Sequence, residues 1–129
     1  MIRIIVNGTF DILHVGHIEL LEYAKTLGDH LIVAIDADQR VKKLKGLNRP
    51  IIDEKNRKRV LESIRWIDEV IIFDSDDDLI KIIKSCDIMV KGSDYREKSI
   101  IGEDLIKIVF YDRTEHSTTS IIQDIIDRR

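Results

Sequence analysis

Five short apolar runs punctuate the chain: Ile4 to Val6, Leu31 to Ile35, Glu69 to Phe73, Asp87 to Lys91 and Ile106 to Tyr111. They are rich in β-branched residues and do not alternate with polar ones, the pattern of strands buried on both faces of a parallel sheet. The segments between them follow a helical period. Ile18, Leu20, Leu21, Ala24 and Leu27 recur at that spacing with Glu19, Glu22 and Lys25 between them, and Gly28 closes the segment. Asp53 is placed to cap a helix from Lys55 to Ile64 that buries Val60, Leu61 and Ile64. Asp76, Asp77 and Asp78 fall in the first turn of another, which carries Leu79, Ile80 and Ile83. Ile121, Ile122, Ile125 and Ile126 give one face of a terminal helix with Ser117 or Thr118 as its cap. Strands alternating with helices predict an α/β fold of right-handed parallel units. The expected architecture is a doubly wound, five-stranded parallel sheet of order 3-2-1-4-5 with helices on both faces. That order places strand four beside strand one, at the topological switch point.

At 129 residues the chain is expected to form one domain, residues 1–129, long enough to bury a core. A composition of 43% hydrophobic and 35% charged residues suits a soluble globular protein, and a net charge of −3 argues against a general nucleic-acid binder. The single cysteine, Cys86, excludes an internal disulfide and reads as a small core residue beside a strand, consistent with a reducing cytoplasm. The N-terminus lacks the layout of a signal peptide, and no apolar run approaches the length of a membrane span. The expected localisation is therefore cytoplasmic, without a membrane partner.

The chemistry gathers in loops that follow strands. Gly8 permits a tight turn and close approach of a ligand to the backbone. His14 and His17 flank Gly16 where the first helix begins, at its unsatisfied N–H groups and positive dipole end, a place for phosphate. Lys42, Lys43, Lys45 and Arg49, with Gly46 and Pro50, follow the second strand's carboxyl end and read as a phosphate-binding lid. Lys91 to Tyr95 should face the His14 loop, making Gly92 and Asp94 candidates for the base or ribose of a nucleotide. Ser117, Thr118 and Thr119 open the terminal helix and offer a second anion site. The acidic cluster Asp74, Asp76, Asp77 and Asp78 is accounted for by the helix dipole rather than by a metal. No P-loop, Gly-x-Gly-x-x-Gly fingerprint or Gly-x-Ser-x-Gly turn is present, which speaks against a P-loop kinase, a dehydrogenase and a hydrolase.

The string Gly-Thr-Phe-Asp-Ile-Leu-His-Val-Gly-His, residues 8–17, resembles the signature of the cytidylyltransferase-like branch of the HIGH nucleotidyltransferase superfamily, with His14 to His17 in place of its HxGH motif. The resemblance covers essentially the whole chain. It implies a Rossmann-like domain that moves a nucleoside monophosphate from a triphosphate to a phosphorylated sugar or polyol, releasing pyrophosphate, with Mg2+ bound mainly through the nucleotide phosphates. It also implies a homodimer. Carried onto this sequence, it gives catalytic roles to His14, His17, Lys43 and Lys45, leaving open which lysine is essential. Nucleotide contacts fall to Gly8, Thr9, Phe10, Gly16, Gly92, Asp94, Arg113, Thr114, Ser117, Thr118 and Thr119. Arg57 is implied as a phosphate contact and Arg65 as a site or dimer-interface residue.

Two branches of that family compete for the substrate. Lys43-Leu44-Lys45-Gly46, Asn48-Arg49-Pro50, Val90 to Tyr95 and Ile101-Gly102 look like the adenylyltransferase domain that makes ADP-heptose from heptose 1-phosphate. Asp112 to Glu115, Arg65 to Val70 and the chain length look like glycerol-3-phosphate cytidylyltransferase. The ATP-using branch is favoured over the CTP-using one because its matches lie in segments expected to meet acceptor and nucleotide. A non-catalytic nucleotide-sensing module is the alternative of another class; it would be favoured by loss of His14 or His17, and both are present.

Overall fold

The computed structural model describes residues 1–112 and 118–128. Strands β1 (Arg3–Gly8), β2 (His30–Asp36), β3 (Glu69–Phe73), β4 (Ile88–Gly92) and β5 (Lys107–Tyr111) form one parallel sheet of order β3-β2-β1-β4-β5. Helices α1 (Val15–Thr26), α2 (Asp38–Lys45), α3 (Glu54–Glu62), α4 (Asp76–Lys84) and α5 (Thr118–Asp127) connect or follow the strands, and Ser93–Tyr95 makes a single 3-10 turn after β4. The five strands, their order and four of the helices agree with the expectation from sequence.

Successive strand residues point to opposite faces, so the register divides the apolar residues into two sets. Ile4 and Val6 of β1 pair with Leu31 and Val33 of β2, and these join Leu20, Leu21 and Ala24 of α1 and Leu61 of α3 in one core. Ile5, Ala34, Phe73 and Met89 point the other way and pack against Leu79 and Ile83 of α4 and against Ile100. Both faces of the sheet are thus covered, as the unbroken apolar strands require.

Helix starts follow their caps. Asp53 Oδ1 accepts from Asn56 N–H at 2.9 Å, and Ser75 Oγ accepts from Asp78 N–H at 3.1 Å. Asp76, Asp77 and Asp78 therefore sit in the first turn of α4, with Asp74 just before its cap, and Asp76 also pairs with Arg40 at 2.7 Å. Cys86 is partly buried beside the second core, where burial raises its thiol above the usual range.

Three expectations are corrected. The basic lid is a helix, α2, whose eight residues include only Val41 and Leu44 as apolar positions. Polar anchors hold its start: Glu54 Oε1 accepts from Asp38 N–H at 2.9 Å, and Arg57 pairs with Asp38 at 2.7 Å. Val60, expected on the buried face of α3, is exposed. Arg57 takes its place inward, in register with Leu61 one turn later.

Candidate active site

A cleft of about 610 Å³ opens at the carboxyl edge of the sheet, over the switch point between β1 and β4. Its walls come from the loop after β1, the start of α1, the end of α2, the end of β4 with the turn after it, and the first turn of α5. Gly8, Thr9, Phe10, Gly16, His17, Lys45, Gly92 and Thr119, expected as site residues, all line it.

The signature loop has a defined local geometry. Phe10 adopts φ 51, in the left-handed region where a non-glycine residue is strained. Its buried ring lies 5.1 Å from that of His17, and a Cβ on Gly8 would meet it at 3.3 Å, so the glycine leaves room for the ring. His14 caps α1. Its Nδ1 accepts from Gly16 N–H at 3.0 Å, and His17 Nδ1 accepts from His14 N–H at 3.2 Å. The two rings lie 4.0 Å apart between centroids. Because both Nδ1 atoms accept backbone hydrogens, each neutral imidazole carries its proton on Nε2 and can donate from there. Lining of the cleft falls to His17, while His14 stands behind it as the cap.

Two buried side chains brace this loop against the segment carrying α2 and α3. The Arg57 guanidinium donates to the carbonyls of Ile52 (2.9 Å), Thr9 (2.8 Å) and Asp36 (2.9 Å) and to Asp38 Oδ1 (2.7 Å). Its side chain is 0% exposed, so it organises the loop from beneath and is not placed to contact a ligand phosphate, contrary to expectation. Asp11 accepts from the N–H groups of Ile51 and Ile52 and from Arg49 Nε at 3.0 Å. Burial raises the Asp11 carboxyl, but these donors outweigh it and hold the group below the usual carboxylate range.

Arg65 precedes β3 and lies exposed toward the amino edge of the sheet, opposite the cleft, its guanidinium 5.0 Å from the Trp66 ring. That position places it outside this chain's cleft, because the ligand-bearing loops follow the strands. Lys43 is exposed and outside the cleft lining, whereas Lys45 is within it. Asp94 is exposed beside the cleft and acts on Lys91 through its charge. Arg113, Thr114 and Ser117 lie outside the described residues, and Thr118 is described only as the first residue of α5.

Arg49, Lys91 and Tyr95, from the expected lid and the stretch expected to face the His14 loop, line the cleft as well, together with Asn7, Asp36 and Arg40, which the sequence did not single out. Asp36 pairs with Arg40 at 2.8 Å and accepts from Thr9 Oγ1 at 3.4 Å. Lys91 is buried and its ammonium lies 4.7 Å from the centre of the Tyr95 ring. The signal for Asp36 and Lys91 is positional, since each is a charged residue closing an apolar strand at its carboxyl end. Among the described residues, no group of three or more His, Cys, Asp or Glu side chains is arranged to hold a metal ion.

Doubly wound, Rossmann-like α/β proteins are the class into which this sheet order and the place of this cleft fall. The cytidylyltransferase-like family model matches residues 5–124, and the chain belongs to that family. It is 46% identical to "Bifunctional protein HldE" of Campylobacter jejuni subsp. doylei over 127 residues, 95% of this chain and 27% of that protein. It is 48% identical to the protein of the same name from Nitratiruptor sp. over 121 residues, 91% of this chain and 26% of that one. The chain thus spans about a quarter of the length of these curated relatives. Among solved structures it is similar to the lipopolysaccharide core biosynthesis protein from Thermoplasma volcanium, with a TM-score of 0.74 and 30% identity, covering 89% of this chain and 99% of that one. No helix among the described residues is long and apolar enough to cross a membrane.

Proposed function

We propose that this protein is an adenylyltransferase that transfers AMP from ATP, entering as its magnesium complex, to heptose 1-phosphate with release of pyrophosphate. The observation that carries this reading is where the distinguishing segments lie. Leu44, Lys45, Arg49, Lys91, Tyr95 and Ile101, from the stretches resembling the ADP-heptose branch, all line the cleft. Arg65 to Val70, from the stretch resembling the glycerol-phosphate branch, runs into β3 from the opposite edge. The likeness to HldE proteins over more than nine-tenths of the chain supports the same choice.

In this mechanism a phosphate oxygen of the acceptor attacks the α-phosphorus of ATP in line. The bond to the bridging oxygen of the β-phosphate breaks, and pyrophosphate leaves with that electron pair. The acceptor oxygen is already anionic, so the step needs no general base, only alignment and stabilisation of charge on the phosphoryl oxygens. His14 and His17 each carry an Nε2 donor for the α-phosphate at the α1 end of the cleft, His17 on the wall and His14 behind it with its Nε2 buried. Lys45 and Thr119 bind the β- and γ-phosphates from the two sides of the cleft, and Gly92 with Asp94 borders the nucleoside. Thr9 and Phe10 present backbone groups to the same nucleotide. The triphosphate would carry a magnesium ion, which would supply part of its charge neutralisation beside Lys45.

The test measures pyrophosphate release with magnesium and either ATP or CTP, each crossed with heptose 1-phosphate and glycerol 3-phosphate. Release confined to ATP with heptose 1-phosphate is the expected result. Release confined to CTP with glycerol 3-phosphate would overturn the choice of branch. Nucleotide binding without release in any combination would indicate a sensing module.

A further inference from the structure

The apolar face beneath α4 ends in polar residues where it reaches the cleft. Ile5, Ala34 and Met89 belong to the core on that face. Two residues further along the same strands, Asn7, Asp36 and Lys91 point the same way and line the cleft. Lys91 is only 9% exposed, and among the described residues its side chain makes no hydrogen bond or ion pair. Its ammonium lies 4.7 Å from the centre of the Tyr95 ring, which Lys98 also approaches, at 5.1 Å. Asp36 and Asp94 attract its charge from further away, and Asp36 is itself bonded to Arg40. Asn7 Oδ1 is buried and has no donor among the described residues.

A largely buried ammonium with no anion in direct contact, and a buried amide oxygen with no donor, both among the described residues, are each costly. One molecule carrying both an anionic group and a hydroxyl would satisfy the two together. His17 approaches the cleft from α1, on the opposite face of the sheet, so this pair stands apart from the histidines that flank the nucleotide phosphates. We infer that Lys91 and Asn7 form the acceptor subsite, Lys91 holding the acceptor's phosphate and Asn7 Oδ1 accepting a hydrogen bond from a hydroxyl of the phosphorylated sugar. This assignment rests on the nucleotidyl-transfer reading above.

The pair has a pH signature. Burial pushes the Lys91 ammonium down to about 8, against the pull of Asp36 and Asp94. A phosphate monoester is already a dianion above its second pKa of about 6, and Arg40 and Arg49 stay charged throughout. Acceptor affinity should therefore hold near pH 7 and fall as pH rises through 8, as the lysine loses its proton. In Lys91→Arg the charge persists and the fall should disappear.

Calorimetric binding of heptose 1-phosphate, inorganic phosphate and MgATP tests the assignment on the full chain and its variants. Lys91→Met should weaken heptose 1-phosphate about tenfold or more, leaving MgATP within about twofold of wild type. Asn7→Ala should weaken heptose 1-phosphate but not inorganic phosphate. If Lys91→Met weakens MgATP instead, or changes nothing while the circular dichroism spectrum is retained, the inference is wrong. Should wild type bind glycerol 3-phosphate and not heptose 1-phosphate, the proposed acceptor fails, and the same Lys91→Met loss is then read on glycerol 3-phosphate. If Lys91→Met does not fold, the pH profile of Lys91→Arg decides: a flat profile supports the subsite, and an unchanged fall above pH 8 overturns it.

Discussion

His14 joins local structure to chemistry within one side chain. Its Nδ1 fills the capping position at α1, and that bond leaves the ring's proton on Nε2. The two contributions can be separated by substitution. Asparagine is a good N-cap, so His14→Asn should keep the stability of the fold while losing the donor; His14→Ala should lose both, with about 1 kcal/mol of stability. Pyrophosphate release should fall about 100-fold or more in each, and urea denaturation should distinguish them. His17→Ala should give a similar loss of turnover. These two histidines were legible in the sequence because the Gly16 between them fixes their place at a helix start. Lys91 was legible in place, in the stretch facing the His14 loop, but not as a ligand residue, because a lysine closing an apolar run gives no sign in sequence of which way its side chain turns.

At the level of elements, the supports under the site are two buried charges acting on backbone. Arg57 joins the start of α3 to the ends of β1 and β2, and its four bonds need a planar fork of donors. Lysine keeps the charge but cannot reproduce that fork. Arg57→Lys should therefore cost about 3 kcal/mol in urea denaturation, within the range for breaking a buried pair, and should lower turnover by displacing Thr9 and Asp36. The sequence could have shown this role. Arg57 and Leu61 share a face at i and i+4, which turns the arginine inward, whereas the family resemblance implied a ligand phosphate as its partner. Asp11 contributes through pH. Its native carboxyl titrates below the unfolded value of about 3.9, so its stabilisation is present above that value and is lost as pH falls through the native pKa. Acid titrations followed by circular dichroism should show a steeper loss of stability below about pH 4 in wild type than in Asp11→Asn. Helix α2 escaped the sequence pattern because anchors from α3, rather than an apolar stripe, hold it in place.

Over the whole molecule, the sheet separates two apolar faces, and the strand order was readable because it follows from alternating strands and helices with right-handed connections. Leu21 lies in one core and Ile83 in the other, both 0% exposed. Leu21→Ala and Ile83→Ala should each cost about 2–5 kcal/mol, and the double variant should lose nearly the sum, because separate cores share no partner. Melts of the single and double variants check this additivity. The ligand-facing side chains are less readable at this scale, since they come from separated stretches that meet only at the carboxyl edge. Their placement has a consequence for substitution. Asn7, Asp36 and Lys91 stand one strand period beyond the residues that pack the core, outside the apolar positions that determine whether the chain folds. Substitutions at these three strand ends can change what the cleft holds while leaving the packing of the rows beneath intact.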